Sequence, residues 1–216
     1  VIEKLNSEIA DIRSTMLEIK EQKEREKALR ISEIDKKIES CGFNLAPIEE
    51  YTKWENVNII MGKPGSGKTE IIKRLLDQIC QEGDEALVIA LGNINDDKSL
   101  MSVLSRWKHS FLVSENASIL DKVATMKGSF NRIFIEVDYT FTQKVIEHSL
   151  MKDSTVMICS GADQTFNSDE FFSETYKIQS PLILTRLDLC SDLPSALNSL
   201  ADIGVEINGT ATGPWK

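Results

Sequence analysis

The sequence lacks the features that mark several special classes of protein. It has no apolar run near the roughly 18 residues that span a membrane. It has no basic start followed by an apolar run and a small-residue cleavage site, as a signal peptide would. The four cysteines stand far apart without a CxxC pair, and the two histidines show no metal-ligand spacing. We therefore expect reduced thiols in a cytosolic protein, not a disulfide framework or a zinc site.

Basic residues are also scarce. The chain carries 25 Lys and Arg against 34 Asp and Glu, a formal net charge of -9. Residues 1–46 hold ten acids and nine bases, a net of -1, so the remaining 170 residues carry -8. Phosphate backbones and anionic lipids attract clustered Lys and Arg, so we expect no direct nucleic-acid partner. Any attachment to a membrane or particle would come through a partner or through a missing segment.

The first 46 residues have the pattern of amphipathic helices. Apolar residues recur there at alternating steps of three and four: Ile2, Leu5, Ile9, Ile12, Met16 and Ile19. The pattern stops over residues 20–27, resumes in a new phase from Ile31 to Ile38, and ends at Gly42, a helix-stop residue. This predicts two helices packed on the rest of the chain or on a partner. Packing on the chain is favoured over a long coiled coil, because the heptads do not persist.

From Val57 onward, short apolar runs alternate with helical stretches. The predicted strands are Val57–Met61, Ala86–Leu91, Ser110–Val113, Arg132–Val137, Thr155–Ser160, Pro181–Thr185 and Gly204–Ile207. Crossover helices are predicted at Thr69–Gln81, Leu100–Lys108 and Ile119–Met126. The predicted fold is α/β, a doubly wound, mainly parallel sheet in residues 47–216, preceded by a helical N-domain in residues 1–46. Ligands of such sheets bind at the carboxyl ends of the strands.

The strongest motif lies between the first strand and the first crossover helix. It matches G-x-x-x-x-G-K-[ST] in the residues Gly62, Lys63, Pro64, Gly65, Ser66, Gly67, Lys68 and Thr69. Glycines let backbone N–H groups surround a β-phosphate, and the helix N-terminus adds its positive dipole end. Lys68 would place a charge across the β- and γ-phosphates, and the Thr69 hydroxyl would bind Mg²⁺. The motif predicts a nucleotide-binding P-loop.

A second motif follows the strand Pro181–Thr185. Thr185-Arg186-Leu187-Asp188 is similar to the [NT]-K-x-D segment by which G proteins read guanine. A carboxylate here accepts hydrogen bonds from the N1 and N2 donors of guanine, a donor pair that adenine lacks. The stem of Arg186 could lie along the base as a lysine stem does. Asp188 therefore favours GTP and GDP over ATP.

Taken together, these motifs resemble the signal-recognition-particle class of GTPases, and within it the FlhF branch that places and numbers polar flagella. Residues 7–17 look like the helical N-domain of that class, and Cys41-Gly42-Phe43 looks like a turn between its helices. The P-loop, the Thr185–Asp188 segment and the closing Ile207-Asn208-Gly209-Thr210 follow in the family's order. By this resemblance, Asn208 and Gly209 would lie near the guanine.

The resemblance also implies partners and a location. It implies an N-domain bundle packed on a G-domain, with GTP, GDP and Mg²⁺ as ligands. It implies a nucleotide-dependent homodimer, or a heterodimer with a related GTPase, and a polar or membrane-associated protein partner. The expected location is the cytoplasm, or the periphery of the inner membrane or cell pole through that partner. The implied role is a switch in polar flagellum placement.

Two further family motifs are degenerate here. Leu91-Gly92-Asn93-Ile94 stands where the family has D-T-x-R, so both the acid and the arginine are missing. Where the family has D-T-A-G-R, this chain has 136–140, EVDYT, and so lacks the glycine that donates to the γ-phosphate. Either Glu136 or Asp138 could serve Mg²⁺; Glu136 is preferred by alignment.

These losses lower the expected catalytic power of the chain. Glu70 stands where the family prefers threonine and should weaken phosphate binding by its charge. With Lys68 and Glu136 as the remaining candidate catalytic residues, we expect guanine-nucleotide binding with slow GTP hydrolysis. The alternatives are a degenerate pseudo-GTPase that acts as an interaction scaffold, and a P-loop ATPase.

Overall fold

The computed structural model describes residues 2–43, 45, 47–48, 54–82, 85–92, 98–107, 109–164, 180–202 and 207–211. The helices, in chain order, are α1 Ile2–Ser40, α2 Lys68–Glu82, α3 Lys98–Trp107, α4 Ile119–Met126, α5 Thr142–Ile146 and α6 Leu193–Asp202. The strands are β1 Val57–Gly62, β2 Ala86–Leu91, β3 Ser110–Ser114, β4 Arg132–Val137, β5 Thr155–Gly161, β6 Leu182–Thr185 and β7 Ile207–Ala211. Short 3₁₀ helices occupy Tyr139–Phe141, Ser149–Asp153 and Leu187–Leu189.

The seven strands form one parallel sheet in the order β3-β2-β4-β1-β5-β6-β7. This confirms the predicted α/β fold and the first six strands to within one residue at each end. The last strand was predicted at 204–207, but β7 begins at Ile207 and runs to Ala211. Residues 203–206 lie outside the described part of the chain.

Apolar side chains from both faces of the sheet are buried, because helices cover each face. Successive residues of β1 alternate between the two layers, with Ile59 in one and Ile60 in the other. The Ile60 layer packs under α2 and α3, which contribute residues such as Ile71 and Leu104. The Ile59 layer packs under α4, α5, α6 and the last turns of α1. Such near-continuous apolar strands are typical of a doubly wound sheet.

The N-terminal region departs from the sequence prediction. Residues 2–40 form one continuous helix of 39 residues, not two helices. The polar run 20–27 consists largely of Lys, Glu, Arg and Gln, which favour helix, and Gln22 and Glu26 join side chains one turn apart at 3.1 Å. The helix therefore continues through residues 20–27, although it has no apolar face there. Gly42, at φ +82°, ends it as predicted.

Only the end of α1 packs on the sheet domain. Ile34 and Ile38 are buried against α6 and the 3₁₀ turn Leu187–Leu189. In contrast, Ile9, Ile12, Met16 and Ile19 are between 47% and 66% exposed. Packing on the chain is therefore confirmed for the last turns of α1 and wrong for the earlier apolar stripe. The boundary at residue 46 stays a prediction, since residues 44, 46 and 49–53 are not described.

Two expectations from composition can be compared with the described residues. Cys41, Cys159 and Cys190 form no disulfide among the described residues, and the side chain of Cys80 is not described. No helix in the described part of the chain has the length and apolarity needed to cross a membrane.

Candidate nucleotide-binding site

The P-loop lies at the point where the sheet changes winding direction. β1 and β4 are neighbours, and the chain leaves them in opposite directions: β1 connects past β4 toward β2, and β4 connects past β1 to β5. Doubly wound sheets bind ligands in the crevice at the carboxyl ends of such a strand pair. Gly62 ends β1 there, and Lys68 opens α2.

The loop needs glycine at three of its positions. Gly65 and Gly67 adopt φ values of +75° and +85°, which L side chains rarely take. Gly62 has an ordinary φ, but there is no space for a side chain: a Cβ there would collide with the Cys159 carbonyl oxygen and the Ser66 hydroxyl. The backbone can therefore follow this tight path only with glycine at these sites, which fits a loop built to bring N–H groups around a phosphate.

Lys68 points into the loop. Its Nζ donates hydrogen bonds to the carbonyl oxygens of Gly62 at 2.9 Å and Lys63 at 3.0 Å, and the residue is only 9% exposed. Burial lowers the pKa of the Lys68 ammonium, and the negative charge of Glu136 opposes that shift. The ammonium is thus held beside the loop backbone, where a phosphate would meet it.

Thr69 and Glu136 are brought together across the crevice. The Thr69 hydroxyl donates to Oε1 of Glu136 at 2.7 Å, although the residues are 67 apart in sequence, and Glu136 is 4% exposed in β4. A hydroxyl and a carboxylate are hard oxygen ligands of the kind Mg²⁺ prefers. Among the described residues, no group of three or more His, Cys, Asp or Glu side chains is placed to hold a metal ion by itself. A nucleotide site does not require one, because Mg²⁺ there is commonly bound by one or two carboxylates together with phosphate oxygens.

Asp138, the alternative acid, has a different environment. Its Oδ1 accepts from the backbone N–H of Thr140 at 2.9 Å and from the Thr140 hydroxyl at 2.6 Å. It caps the 3₁₀ helix Tyr139–Phe141, and its Cβ lies against Gly92, the glycine of the degenerate second motif at φ +115°. The geometry therefore favours Glu136 as the carboxylate beside Thr69.

Side chains from β6 and from the turn after β5 hold the outer rim of the loop. The buried Thr185 hydroxyl lies 2.6 Å from the Ser66 carbonyl oxygen and 3.2 Å from that of Ser160. Gln164 donates from Nε2 to the Pro64 carbonyl oxygen at 3.1 Å. Thr185 was expected to bind nucleotide, and the structure places it as a support beneath the P-loop.

Arg186 also supports the loop. Its Nη1 donates to the Gly65 carbonyl oxygen at 2.9 Å, and its Nη2 pairs with Oδ2 of Asp163 at 2.8 Å. The guanidinium thus cross-links the two motifs, while the expected contact of the Arg186 stem with a base stays a prediction. Arg186 is the described non-glycine residue with positive φ, +55°, a backbone cost that proteins tend to keep at functional sites.

Asp188 lies one residue beyond that strained position. It sits in the 3₁₀ turn Leu187–Leu189, directly after the carboxyl end of β6, and is exposed. Its carboxylate is therefore available to a ligand at the same edge of the sheet as the P-loop. A cleft of about 270 Å³ adjoins this turn, between residues 162–164 and 189–199.

Asn208 and Gly209 are not brought to the P-loop. Asn208 accepts the backbone N–H of Leu182 at 3.1 Å, and Gly209 pairs with Ile183 at the middle of β7. Ala211, paired with Thr185, is the residue at the carboxyl edge. This register places Gly209 and Asn208 two and three residues before Ala211, and their expected position near guanine stays a prediction. The loop that follows β7, from residue 212, is not described.

Glu70 forms an ion pair one turn along α2. Its carboxylate contacts the Lys73 ammonium at 2.5 Å, and the side chains are 35% and 11% exposed. The pair offsets part of the charge that was expected to weaken phosphate binding. The first turn of α2 therefore remains compatible with an anion.

Sequence reasoning missed Asp163 and Gln164. Both follow the carboxyl end of β5, the edge of the sheet where ligands bind. Their position after a predicted strand could therefore have marked them as candidate site residues. Gln164 also receives the Gly161 N–H on Oε1 at 3.2 Å, so the turn after β5 is shaped by the same side chain that reaches the P-loop.

Comparisons with solved structures identify the fold. A structure of the signal recognition particle receptor FtsY from Elizabethkingia anophelis matches with a TM-score of 0.56 at 17% identity, over 76% of this chain and 61% of that one. FlhF complexed with GTP and Mg²⁺ matches with a TM-score of 0.58 at 14% identity, over 78% and 71%. Chloroplast FtsY from Physcomitrella patens matches with 0.59 at 15%, over 88% and 68%.

Sequence-level comparisons add nothing to these matches. No family model matches the chain, and no curated protein does. The chain spans 61% of the length of the first FtsY structure. At identities below a fifth, the likeness establishes the fold: a P-loop G-domain of the kind found in signal-recognition-particle GTPases, with a long N-terminal helix.

The contact between Thr69 and Glu136 predicts that Glu136 governs magnesium dependence. Glu136→Gln keeps the shape of the side chain but removes its charge, so we expect nucleotide affinity in the presence of Mg²⁺ to fall about ten- to a hundredfold. Affinity in EDTA should change little. Isothermal titration with and without Mg²⁺ measures both.

The matched control is Asp138→Asn, which alters the cap of the 3₁₀ helix and not the Thr69 contact. It should change stability little, because the asparagine oxygen can still accept the Thr140 N–H, and it should leave the magnesium effect unchanged. A larger loss of magnesium dependence in Asp138→Asn than in Glu136→Gln would assign the metal to Asp138 instead.

Proposed function

We propose that this chain is a guanine-nucleotide-binding protein of the signal-recognition-particle GTPase class, which binds GTP and GDP with Mg²⁺ and hydrolyses GTP slowly on its own. The observation that carries the proposal is the Thr69 hydroxyl 2.7 Å from Glu136 beside the buried ammonium of Lys68. That arrangement offers a positive charge and a pair of magnesium-binding oxygens at the mouth of a glycine loop. The fold is that of FlhF, whose structure holds GTP and Mg²⁺.

Phosphate binding would draw on groups that are already positioned. The glycine loop would supply backbone N–H donors, and the N-terminus of α2 its dipole. Lys68 would exchange its two carbonyl partners for phosphate oxygens, which are stronger acceptors because they are charged. Bound Mg²⁺ would neutralise phosphate charge, with the Thr69 hydroxyl as a ligand and Glu136 beside it.

Selection of guanine would fall to Asp188. It is exposed after β6, while Arg186 in the same motif is occupied by Gly65 and Asp163. A carboxylate without a competing cation in its own segment suits the paired donors of guanine. This supports GTP and GDP over ATP as ligands.

The base assignment is tested by titrating the chain with fluorescent GTP, GDP, XTP and ATP analogues in Mg²⁺. We expect the wild type to prefer guanine nucleotides. Asp188→Asn should weaken GTP about ten- to a hundredfold, since hydrogen bonds to a charged group contribute about 1.5–3 kcal/mol, and should gain affinity for XTP.

The control for this titration is Asp153→Asn, an exposed acid at the amino end of β5 and hence at the opposite edge of the sheet. It should bind as the wild type does. Unchanged selectivity in Asp188→Asn would remove Asp188 from the base site. Equal affinity for ATP would favour an ATPase, and no binding of any nucleotide would favour a scaffold.

Slow turnover follows from the missing donors. The segment 91–97 contains no arginine, and residues 136–140 contain no glycine to donate to a γ-phosphate. One lost preorganised donor costs about 2.7–4 kcal/mol of transition-state stabilisation. We expect the isolated chain to turn over GTP at about 10⁻³ s⁻¹ or less, in phosphate-release assays. A rate near 1 s⁻¹ that disappears in Lys68→Ala would overturn this.

The cellular role we propose is that of the FlhF branch: a nucleotide-dependent switch in placing polar flagella, acting as a dimer at the cytoplasmic face of the inner membrane or pole through a partner protein. The support is the sequence resemblance and the match to FlhF. The matches to FtsY have similar TM-scores, so the choice of the FlhF branch over the FtsY branch rests on the sequence resemblance.

A deletion strain tests this role. Loss of the chain should change the number or position of flagella, and Lys68→Ala should fail to restore them. Normal flagella accompanied by impaired insertion of membrane proteins would instead assign the chain to the FtsY branch.

A further inference from the structure

The first half of α1 presents an apolar stripe that the described part of the chain does not cover. The stripe consists of Ile9, Ile12, Met16 and Ile19, exposed by 47%, 59%, 66% and 48% respectively. Their steps of three, four and three residues place them on one helix face, at alternating a and d positions of two heptads. In sequence, Ile2 and Leu5 continue the same spacing toward the N-terminus.

The charges beside the stripe distinguish between possible orientations of a second helix. With Ile9 at a, Glu8 falls at g and Arg13 at the following e, and both are exposed. In a parallel, in-register pair, g of one helix faces the next e of the other, so Glu8 would meet Arg13 on both sides. In an antiparallel pair centred on the stripe, Arg13 would instead face Arg13. The charge pattern therefore complements a parallel copy of the same helix.

The same pattern argues against a lipid surface. Residues 2–22 carry five acidic and three basic side chains. Helices that lie on anionic bilayers have polar faces rich in Lys and Arg. The polar face of α1 would be repelled by such a bilayer and not attracted to it.

The stripe also has a defined end. The next a and d positions are Lys23, Glu26 and Arg30, and in-register copies would set like charges against one another there. The helices would pair up to about Gln22 and diverge beyond it. The docked end, where Ile34 and Ile38 are buried, would stay on its own domain.

We propose that α1 associates with the α1 helices of further copies of this chain as a short parallel coiled coil over the stripe, independently of nucleotide. The association is separate from the nucleotide-dependent dimer of the proposed function, because it uses none of the P-loop residues. With only two to three heptads, it is weak and depends on concentration. It brings two or more G-domains together through one end of their helices.

Light scattering of the nucleotide-free full chain between about 10 and 200 µM tests the proposal. The wild type should rise from one chain to two or three as concentration increases. Met16→Lys should weaken association at least tenfold. Leu17→Lys, at a neighbouring position of similar exposure, 60% against 66%, lies off the stripe and should associate as the wild type does. A wild type that stays monomeric, or equal effects of the two variants, would overturn the proposal.

Charge reversal tests the orientation. Glu8→Arg and Arg13→Glu should each weaken association, and the double variant should restore it. Loss without restoration would overturn the parallel arrangement. Binding of a monomeric chain to phosphatidylglycerol-containing vesicles, lost in Met16→Lys, would assign the stripe to lipid and overturn the proposal. Met16→Lys should bind fluorescent GTP as the wild type does, so failure here is distinguishable from failure of the proposed function.

Discussion

The structure of the site depends on how the carbonyl groups of the P-loop are held. The carbonyl oxygens of Pro64, Gly65 and Ser66 accept hydrogen bonds from Gln164, Arg186 and Thr185 respectively. In a planar trans peptide, the N–H of the next residue points the opposite way. The Pro64 and Ser66 carbonyls point toward Gln164 and Thr185, so the N–H groups of the next residues, Gly65 and Gly67, point away from these side chains. The loop's capacity to surround an anion is thus set by side chains outside the motif.

The sequence predicted most of the G-domain because each buried strand is a continuous apolar run and each crossover helix has a period near 3.6. The pattern of α1 was misinterpreted for a physical reason. Apolar spacing shows which face of a helix is apolar, not where the helix ends. The charged run 20–27 remains helical through propensity and side-chain pairs one turn apart. The position of β7 was mistaken because Asn208 and Gly209 are poor strand formers that read as a loop.

The candidate site was predictable where chemistry is local. The P-loop is eight consecutive residues, and its strand–loop–helix context follows it in sequence. The choice between Glu136 and Asp138 was not predictable, because it depends on which acid faces Thr69 across 67 residues and which one caps a turn. The contact of Gln164 with Pro64 likewise joins segments a hundred residues apart, and Asp163 reaches the P-loop only through Arg186, so no sequence periodicity predicts either role.

The long α1 helix has a hydrodynamic consequence. At 1.5 Å per residue, 39 residues extend about 58 Å, whereas a compact domain of about 170 residues has a radius of gyration near 15 Å. Most of α1 is exposed, so the chain is an elongated particle with more friction than a sphere of 24.2 kDa. A single chain would therefore diffuse slowly and elute early in gel filtration, imitating a larger assembly.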